Sequence, residues 1–310
     1  CLVGSEMCIR DRICPDSIHS CYARTKFWLR FHFYPEGIAN ELHKALVGYD
    51  IDWKNPKTLN EKINWMKFNT DTTEWTRLAD KYLVREYVKE RIGETALPKL
   101  YAVWRSADEI DFSKLPKKFI LKTNHGCHTI MPVLDKDKMD VNIVKRQFNV
   151  WMKKQYGYDT AEPHYMKIKP MIIAEELLDN DATFTTALAD YKVYCFDGKP
   201  FCILVCTDRN GAQSTFSYFD CDWNPLHNVL NEKLKGSDVA IPKPDCLKLL
   251  LEYASILAKG HPQVRVDFYI THGKIYFGEM TFTSEGGYDG DITKEFCIEM
   301  GKHITLPQKK

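Results

Sequence analysis

The sequence lacks several patterns that would assign a protein to a broad functional class. Its 310 residues hold 43 Lys and Arg against 42 Asp and Glu, so no global field favours nucleic acid or an anionic membrane. The eleven cysteines form no CxxC pair and no Cys/His cluster at zinc spacing, which favours a reduced, cytoplasmic protein. No apolar run reaches membrane-spanning length, and the sequence shows no internal repeat or low-complexity segment.

The first twelve residues, Cys1–Arg12, fit nothing that follows. They resemble translated adapter sequence, and we exclude them from the fold prediction. From residue 13 onward the chain reads as helical, and Thr58 and Glu61 form a capping box that begins a helix. Further helices are predicted over Leu78–Ile92, Val141–Tyr156 and Cys246–Ala258.

Three stretches could present groups to a nucleotide. Asp80 and Lys81 lie in the first turn of a predicted helix, where a lysine is unfavourable unless it serves an anion. The strand Lys118–Thr123 carries Lys122 and runs into a Gly-containing loop, a common way to present an ammonium and backbone amides to phosphates. The stretch Met171–Leu178 runs apolar into Glu175 and Glu176, where backbone groups could pair with the adenine edge of a nucleotide and a carboxylate with its ribose hydroxyls. Ordinary surface charge is the alternative reading of each stretch.

The strongest site prediction lies in Val264–Asp291, where two strand-like runs are joined by a Gly-containing turn and followed by a Gly-rich tail. Arg265 and Asp267 alternate with apolar residues and therefore share one face of their strand, as Glu279 and Thr281 do in the next. Two adjacent carboxylates repel each other unless a cation lies between them, and hard oxygen ligands suit Mg²⁺. The alternative is an exposed hairpin with ordinary surface charges.

The length of the hairpin turn decides this prediction. A three-residue His272-Gly273-Lys274 loop pairs Thr271 with Ile275 and places Asp267 directly opposite Glu279. A two-residue turn would instead place the two carboxylates on opposite faces of the sheet.

Taken together, these motifs resemble the ATP-grasp carboxylate–amine ligases, and more closely the TupA-like family, which is associated with bacterial cell-surface polymers. The sequence segments that carry the resemblance are NPKTLNEKINWMK (55–67), ADKYLVREYVKERIG (79–93), KFILKTNHG (118–126), DYKVYCFDGKP (190–200) and VRVDFY followed by IYFGEMTF (264–282). The resemblance implies an α+β fold in which two subdomains grip ATP. We place a helical segment at 13–76, the N-terminal subdomain with its phosphate lid at 77–170, and the C-terminal subdomain at 171–306.

The resemblance also implies a role for each matching residue. Arg265 would stabilise the transferring phosphoryl group, with Lys192 near the phosphates or the carboxylate substrate. Thr281 stands where the wider superfamily usually has Asn, which predicts weaker metal binding. The remaining assignments are phosphate binding by Lys81 and Lys122, a lid that includes Asn124, His125 and Gly126, an adenine hinge formed by Glu175, Glu176, Leu177 and Leu178, and Mg²⁺ binding by Asp267, Glu279 and Thr281.

The predicted reaction joins a carboxylate and an amine through an acyl phosphate, on small-molecule or polymer-linked substrates. Two alternatives stay open. Asp220-Cys221-Asp222 and Asp289-Gly290-Asp291 are DxD patterns that a metal-dependent glycosyltransferase would use to hold a nucleotide sugar. The second alternative is a non-catalytic nucleotide-binding assembly protein.

Overall fold

A computed structural model describes residues 30–208, 214–231 and 240–310, so Cys1–Arg12 and the beginning of the predicted helical segment lie outside the described residues. None of the helices in these ranges is both long enough and apolar enough to cross a membrane. The helices are α1 Pro35–Val47, α2 Leu59–Asn69, α3 Thr73–Ala79, α4 Val84–Ile92, α5 Val141–Trp151, α6 Leu247–Ala258 and α7 Lys294–Lys302.

The strands form two antiparallel sheets, which confirms the predicted α+β class. The strands are β1 Leu100–Trp104, β2 Phe119–Thr123, β3 Ile130–Val133, β4 Ile172–Glu175, β5 Asp190–Phe196, β6 Lys199–Thr207, β7 Thr215–Asp220, β8 Gln263–Thr271 and β9 Lys274–Thr281. A four-stranded sheet has the order β1-β4-β2-β3, and a five-stranded sheet has the order β7-β6-β5-β8-β9. Strand β4 opens the predicted C-terminal subdomain, yet it pairs within the sheet of the preceding one.

Apolar side chains of each sheet pack against helices. The larger core lies between the five-stranded sheet and α2, α3, α4, α6 and α7, and includes the α2 residues Leu59, Ile63 and Met66. The smaller core packs α5 against the four-stranded sheet through Val144 and Phe148. Burial of these apolar faces holds the two sheets in place on either side of a cleft.

The capping box at the start of α2 is confirmed. Thr58 Oγ1 accepts from the Glu61 backbone amide at 3.2 Å, and Glu61 Oε2 accepts from the Thr58 amide at 2.9 Å. By contrast, a single helix over Leu78–Ile92 is wrong, because α3 ends at Ala79 and α4 begins at Val84. Asp80 breaks the helix, since its Oδ1 accepts from the amides of Tyr82 and Leu83 at 2.8 and 3.1 Å.

In the β8–β9 hairpin Asp267 lies opposite Glu279, as predicted, but the turn that joins the strands differs from the predicted one. The three-residue turn is wrong: Thr271 pairs with Lys274 across His272-Gly273, and both turn residues have positive φ, as in type I′ turns. A bulge then leaves Gly278 unpaired, and it restores Asp267 opposite Glu279. A Cβ on Gly278 would lie 3.0 Å from the Asp267 carbonyl oxygen, so a larger residue here would have to shift the neighbouring strand by a few tenths of an ångström.

Candidate active site

A cleft of about 420 Å³ lies between the two sheets and collects most of the predicted site residues. The four-stranded sheet contributes Lys122 and the segment after β4, whereas the five-stranded sheet contributes Lys192, Asp267 and Glu279. Apolar side chains line part of the cleft as well. They are Pro98, Ile120, Ile130, Pro132, Leu134, Leu177, Leu178, Leu188 and Phe277. The cleft therefore combines an apolar region with a region of concentrated charge.

Asp267 lies at the centre of the charged region. Its two carboxylate oxygens accept from Arg265 Nε and Nη2, both at 2.8 Å, and Oδ2 also accepts from Lys192 Nζ at 2.6 Å. Lys192 Nζ lies 2.9 Å from Asp190 Oδ2, and all four side chains are at most 3% exposed. The alternation of β5 and β8 produces this cluster, because Lys192 is paired directly with Asp267 across the ladder.

Glu279 and Thr281 complete this wall of the cleft. Glu279 keeps 38% of its side chain exposed, with Lys81 Nζ 3.5 Å and Arg265 Nη2 3.8 Å from its oxygens. Arg265 Nη2 lies 3.4 Å from Thr281 Oγ1, so the three predicted metal-binding residues face one buried guanidinium. Burial raises the pKa of the Asp267 carboxyl, and the charges of Arg265 and Lys192 offset part of that rise.

Lys81 projects from the turn between α3 and α4 rather than from a helix. Its Nζ donates to the Gly126 carbonyl at 2.8 Å, and its backbone amide donates to the Asn124 carbonyl at 3.1 Å. Asp80 Oδ2 accepts from Asn124 Nδ2 at 2.8 Å. The turn that carries the phosphate-binding candidate Lys81 is thereby attached to the loop predicted to be the lid.

Of the three residues predicted to lie in the lid, Gly126 lines the cleft, whereas the side chains of Asn124 and His125 bond to neighbouring backbone groups. Asn124 is fully buried and accepts from the Met171 amide at 2.6 Å, while its Nδ2 also donates to the Lys169 carbonyl at 3.0 Å. His125 Nε2 lies 3.1 Å from the Lys154 carbonyl, and burial lowers the pKa of its imidazole. Both side chains are used to anchor the lid, which leaves Gly126, Cys127 and His128 to line the cleft.

Lys122 and Glu175 lie on neighbouring strands and form an ion pair in which Nζ and Oε2 are 2.5 Å apart. Arg85 of α4 joins them, with its Nη1 2.6 Å from Glu175 Oε1 and its Nη2 donating to the Pro98 carbonyl at 2.8 Å. The Glu175 side chain is only 3% exposed. Its carboxylate therefore neutralises two cations at the start of the predicted hinge, a role that the sequence did not reveal.

The rest of the predicted hinge also lines the cleft. Glu176 donates its backbone amide to the Lys99 carbonyl at 2.9 Å, and its Oε2 accepts from the Lys99 amide at 3.1 Å. Leu177 and Leu178 follow along the same wall.

A second cavity of about 140 Å³ shares Lys81, Gly126–His128 and Glu279 with the larger cleft. Its remaining walls come from Arg265 and Thr281 of the predicted metal site and from two segments to which the sequence assigned no role. These segments supply Gln155, Tyr156, Gly157, Asp159, Thr160, Glu162 and Tyr165 from the loop after α5, and Thr283 and Glu285 from the chain after β9. The two cavities meet at the residues predicted to hold the phosphates.

The two DxD patterns have structural uses. Asp220 Oδ1 accepts from the amides of Asp222 and Asn224 at 2.9 and 2.8 Å, and Asp289 Oδ1 accepts from the Asp291 amide at 2.9 Å. These are local turn contacts of the kind that Asp side chains commonly make. Neither pattern lines the two cavities, so the glycosyltransferase alternative loses its sequence basis.

Comparison with protein families identifies the chain as an ATP-grasp protein. The TupA-like ATP-grasp family matches residues 61–305, and the chain belongs to that family. No curated protein matches the sequence.

Solved structures that resemble the chain include D-alanine–D-alanine ligase from Bacillus anthracis complexed with ATP, at 13% identity and a TM-score of 0.42. The match covers 69% of this chain and 56% of that one. The ATP-grasp ligase PsnB with its minimal precursor matches at 11% identity and a TM-score of 0.39, over 78% and 67% of the two chains. Phosphoribosylglycinamide synthetase from Anaerococcus prevotii matches at 12% identity and a TM-score of 0.37, over 72% of this chain and 48% of that one.

Proposed function

We propose that this protein is an ATP- and Mg²⁺-dependent ligase that forms an amide between a carboxylate and an amine. The observation that supports it best is the junction of the two cavities, where Lys81 and Glu279 stand between them beside Arg265. The larger cavity has the size and the mixed apolar and cationic lining expected for a nucleotide. The smaller one adjoins the charged end, where the amine would reach the acyl phosphate.

In this proposal the adenine lies among the apolar side chains near Leu178 and Phe277, and the phosphates extend toward Lys122 and Lys81. The ammonium of Lys122 is oriented by Glu175, and that of Lys81 by the Gly126 carbonyl. Both lysines thus have fixed positions before the nucleotide binds, which lowers the cost of ordering them.

The donor set fits a magnesium ion. Asp267 Oδ1 accepts one charge-assisted hydrogen bond, from Arg265 Nε at 2.8 Å, and a carboxylate oxygen offers two lone pairs. Glu279 lies directly across the ladder and is partly exposed to the cleft, and Thr281 adds a hydroxyl. These hard oxygens are ligands that Mg²⁺ accepts, and when bound the ion would neutralise charge on the β- and γ-phosphate oxygens.

The chain's own residues would then bring two anions together. Lys81, Lys192 and Arg265 offset the negative charge when a carboxylate oxygen attacks the γ-phosphorus and ADP leaves, giving an acyl phosphate. The amine nitrogen then attacks the acyl carbon, phosphate leaves, and the nitrogen loses a proton. Closure of the Gly126–His128 lid would exclude water from the acyl phosphate. The TupA-like family supports a precursor of a bacterial cell-surface polymer as the substrate, modified in the cytoplasm.

The test is ADP release by the purified protein with ATP and Mg²⁺ across a panel of amino acids, amino sugars and uronic acids, followed by mass spectrometry of the products. We expect at least one carboxylate and amine pair to give stoichiometric ADP, phosphate and amide. Glu279→Gln is the control, since it removes a proposed metal ligand from a partly exposed position. A folded wild-type protein that binds ATP without turnover across the panel would contradict the proposal and favour a nucleotide-binding assembly role.

A further inference from the structure

Helix α2 carries a row of buried polar side chains beside its apolar face. Asn60, Asn64 and Lys67 are spaced four and three residues apart, so they lie on one side of the helix, and each is at most 2% exposed. We call them the polar stripe. Burying an ammonium and two amides is costly unless each has hydrogen-bond partners.

Those partners lie in one short segment that follows β9, at 283–289. Lys67 Nζ donates to the Gly286 carbonyl at 2.5 Å, and Asn64 Nδ2 donates to the Gly287 carbonyl at 2.7 Å. Asn60 Nδ2 donates to the Asp289 carbonyl at 2.9 Å and accepts from the Asp289 amide at 3.1 Å. The stripe thus holds three carbonyls of the same loop, although 219 to 229 residues separate each pair in the chain.

This loop has no regular ladder of its own and contains an unfavourable backbone conformation. Glu285 has a φ of +46°, a region that residues other than glycine rarely adopt. A Cβ on Gly287 would lie 2.8 Å from Ile63 Cγ2 and 2.9 Å from Asn64 Nδ2, so the loop is pressed against α2. A strained segment of this kind persists only where its surroundings hold it.

The same loop forms a wall of the smaller cavity through Thr283 and Glu285. Thr283 Oγ1 donates to Glu162 on the facing wall, and Thr160 Oγ1 donates to the other Glu162 oxygen at 2.5 Å. Lys67 Nζ lies 3.1 Å from the Tyr288 hydroxyl, which donates to the Thr160 carbonyl at 3.1 Å. A continuous set of hydrogen bonds therefore runs from α2 to both walls of the cavity.

We propose that the polar stripe is a set of positioning residues for the second substrate. It fixes the 283–289 loop so that Thr283 and Glu285 shape the smaller cavity, and it touches no residue of the nucleotide cleft. The proposal rests on the proposed function, because it takes the smaller cavity as the site of the amine. Loss of the stripe should weaken binding of the amine and leave binding of ATP unchanged.

The test compares Lys67→Met with Lys62→Met on the same helix. Lys62 Nζ also donates to a backbone carbonyl, that of Ile304, at 2.7 Å, but Ile304 lines neither cavity. With the most active amine and carboxylate pair from the panel, Lys67→Met should raise the KM for the amine about tenfold or more, a loss of about 1.4 kcal/mol. The KM for ATP should stay within about twofold, and Lys62→Met should change neither.

Amide hydrogen exchange of the 283–289 segment provides a readout that does not need turnover. Exchange there should accelerate in Lys67→Met and in Asn64→Leu, and should be unchanged in Lys62→Met. Asn64→Leu serves if Lys67→Met does not fold. Unchanged exchange in both stripe variants, or an equal rise in the KM values for ATP and amine, would overturn the proposal. A wild-type protein without any turnover refutes the proposed ligase activity instead, and the exchange comparison still decides whether the stripe holds the loop.

Discussion

The two proposed carboxylate ligands for Mg²⁺ should differ sharply in what they contribute to stability. Asp267 is 2% exposed and accepts from Arg265 and Lys192, so Asp267→Asn leaves buried cations without their counter-charge. Removing one partner of a buried ion pair costs about 3–5 kcal/mol. Glu279 is 38% exposed, and its cations lie 3.5 and 3.8 Å away, so Glu279→Gln should cost at most about 1 kcal/mol.

Urea unfolding of both variants measures this difference directly, with the fitted m-values checked for constancy. The double variant Arg265→Met/Asp267→Asn should recover much of the lost stability, because it removes the Arg265 cation together with its partner. The other cation, Lys192, retains Asp190 as a counter-charge, with Nζ 2.9 Å from Oδ2. An Asp267→Asn protein as stable as Glu279→Gln would refute this reasoning, since Asp267 would then not be the counter-charge of the buried cluster.

In these three variants, the loss of activity should not parallel the loss of stability. Both single variants and the double variant should lose ADP release, and ATP with Mg²⁺ should raise the Tm of the wild type more than that of any variant. A stable Glu279→Gln protein with full Mg²⁺-dependent turnover would remove Glu279 from the proposed metal site.

Three other substitutions test separate parts of the structure. Burial lowers the pKa of His164 to about 3. Between about pH 6.5 and pH 3 this imidazole therefore binds a proton only in the unfolded chain, and the free energy of unfolding falls as the pH drops. In urea unfolding, His164→Leu should reduce this slope by about 1.4 kcal/mol per pH unit. A Cβ at Gly126 would lie 2.3 Å from the Tyr156 ring, so Gly126→Ala should displace the lid and raise the KM for ATP at least several-fold. Arg85→Met should cost about 3 kcal/mol by urea unfolding, since it takes one of two cations from buried Glu175; a change under 1 kcal/mol would contradict this role.

Local rules were sufficient to predict many elements from the sequence. The Thr58–Glu61 capping box and the α6 helix depend on contacts within a few residues, and the structure has both. Strand alternation placed Arg265 and Asp267 on one face for the same reason. The prediction of the hairpin turn was wrong because a single-residue bulge changes the strand pairing. Gly278 is the only sign of that bulge in the sequence.

The sequence by itself determined the motifs and the order in which they occur, since each is a short pattern of charge, periodicity and turn residues. Tertiary structure alone decided how those motifs meet. Arg85 reaches Glu175 across 90 positions, and Lys67 reaches Gly286 across 219, and neither pair shares a local pattern. Such partners are selected by which surfaces pack together and by the need to satisfy every buried charge, conditions that exist only once the two sheets and their helices are in place.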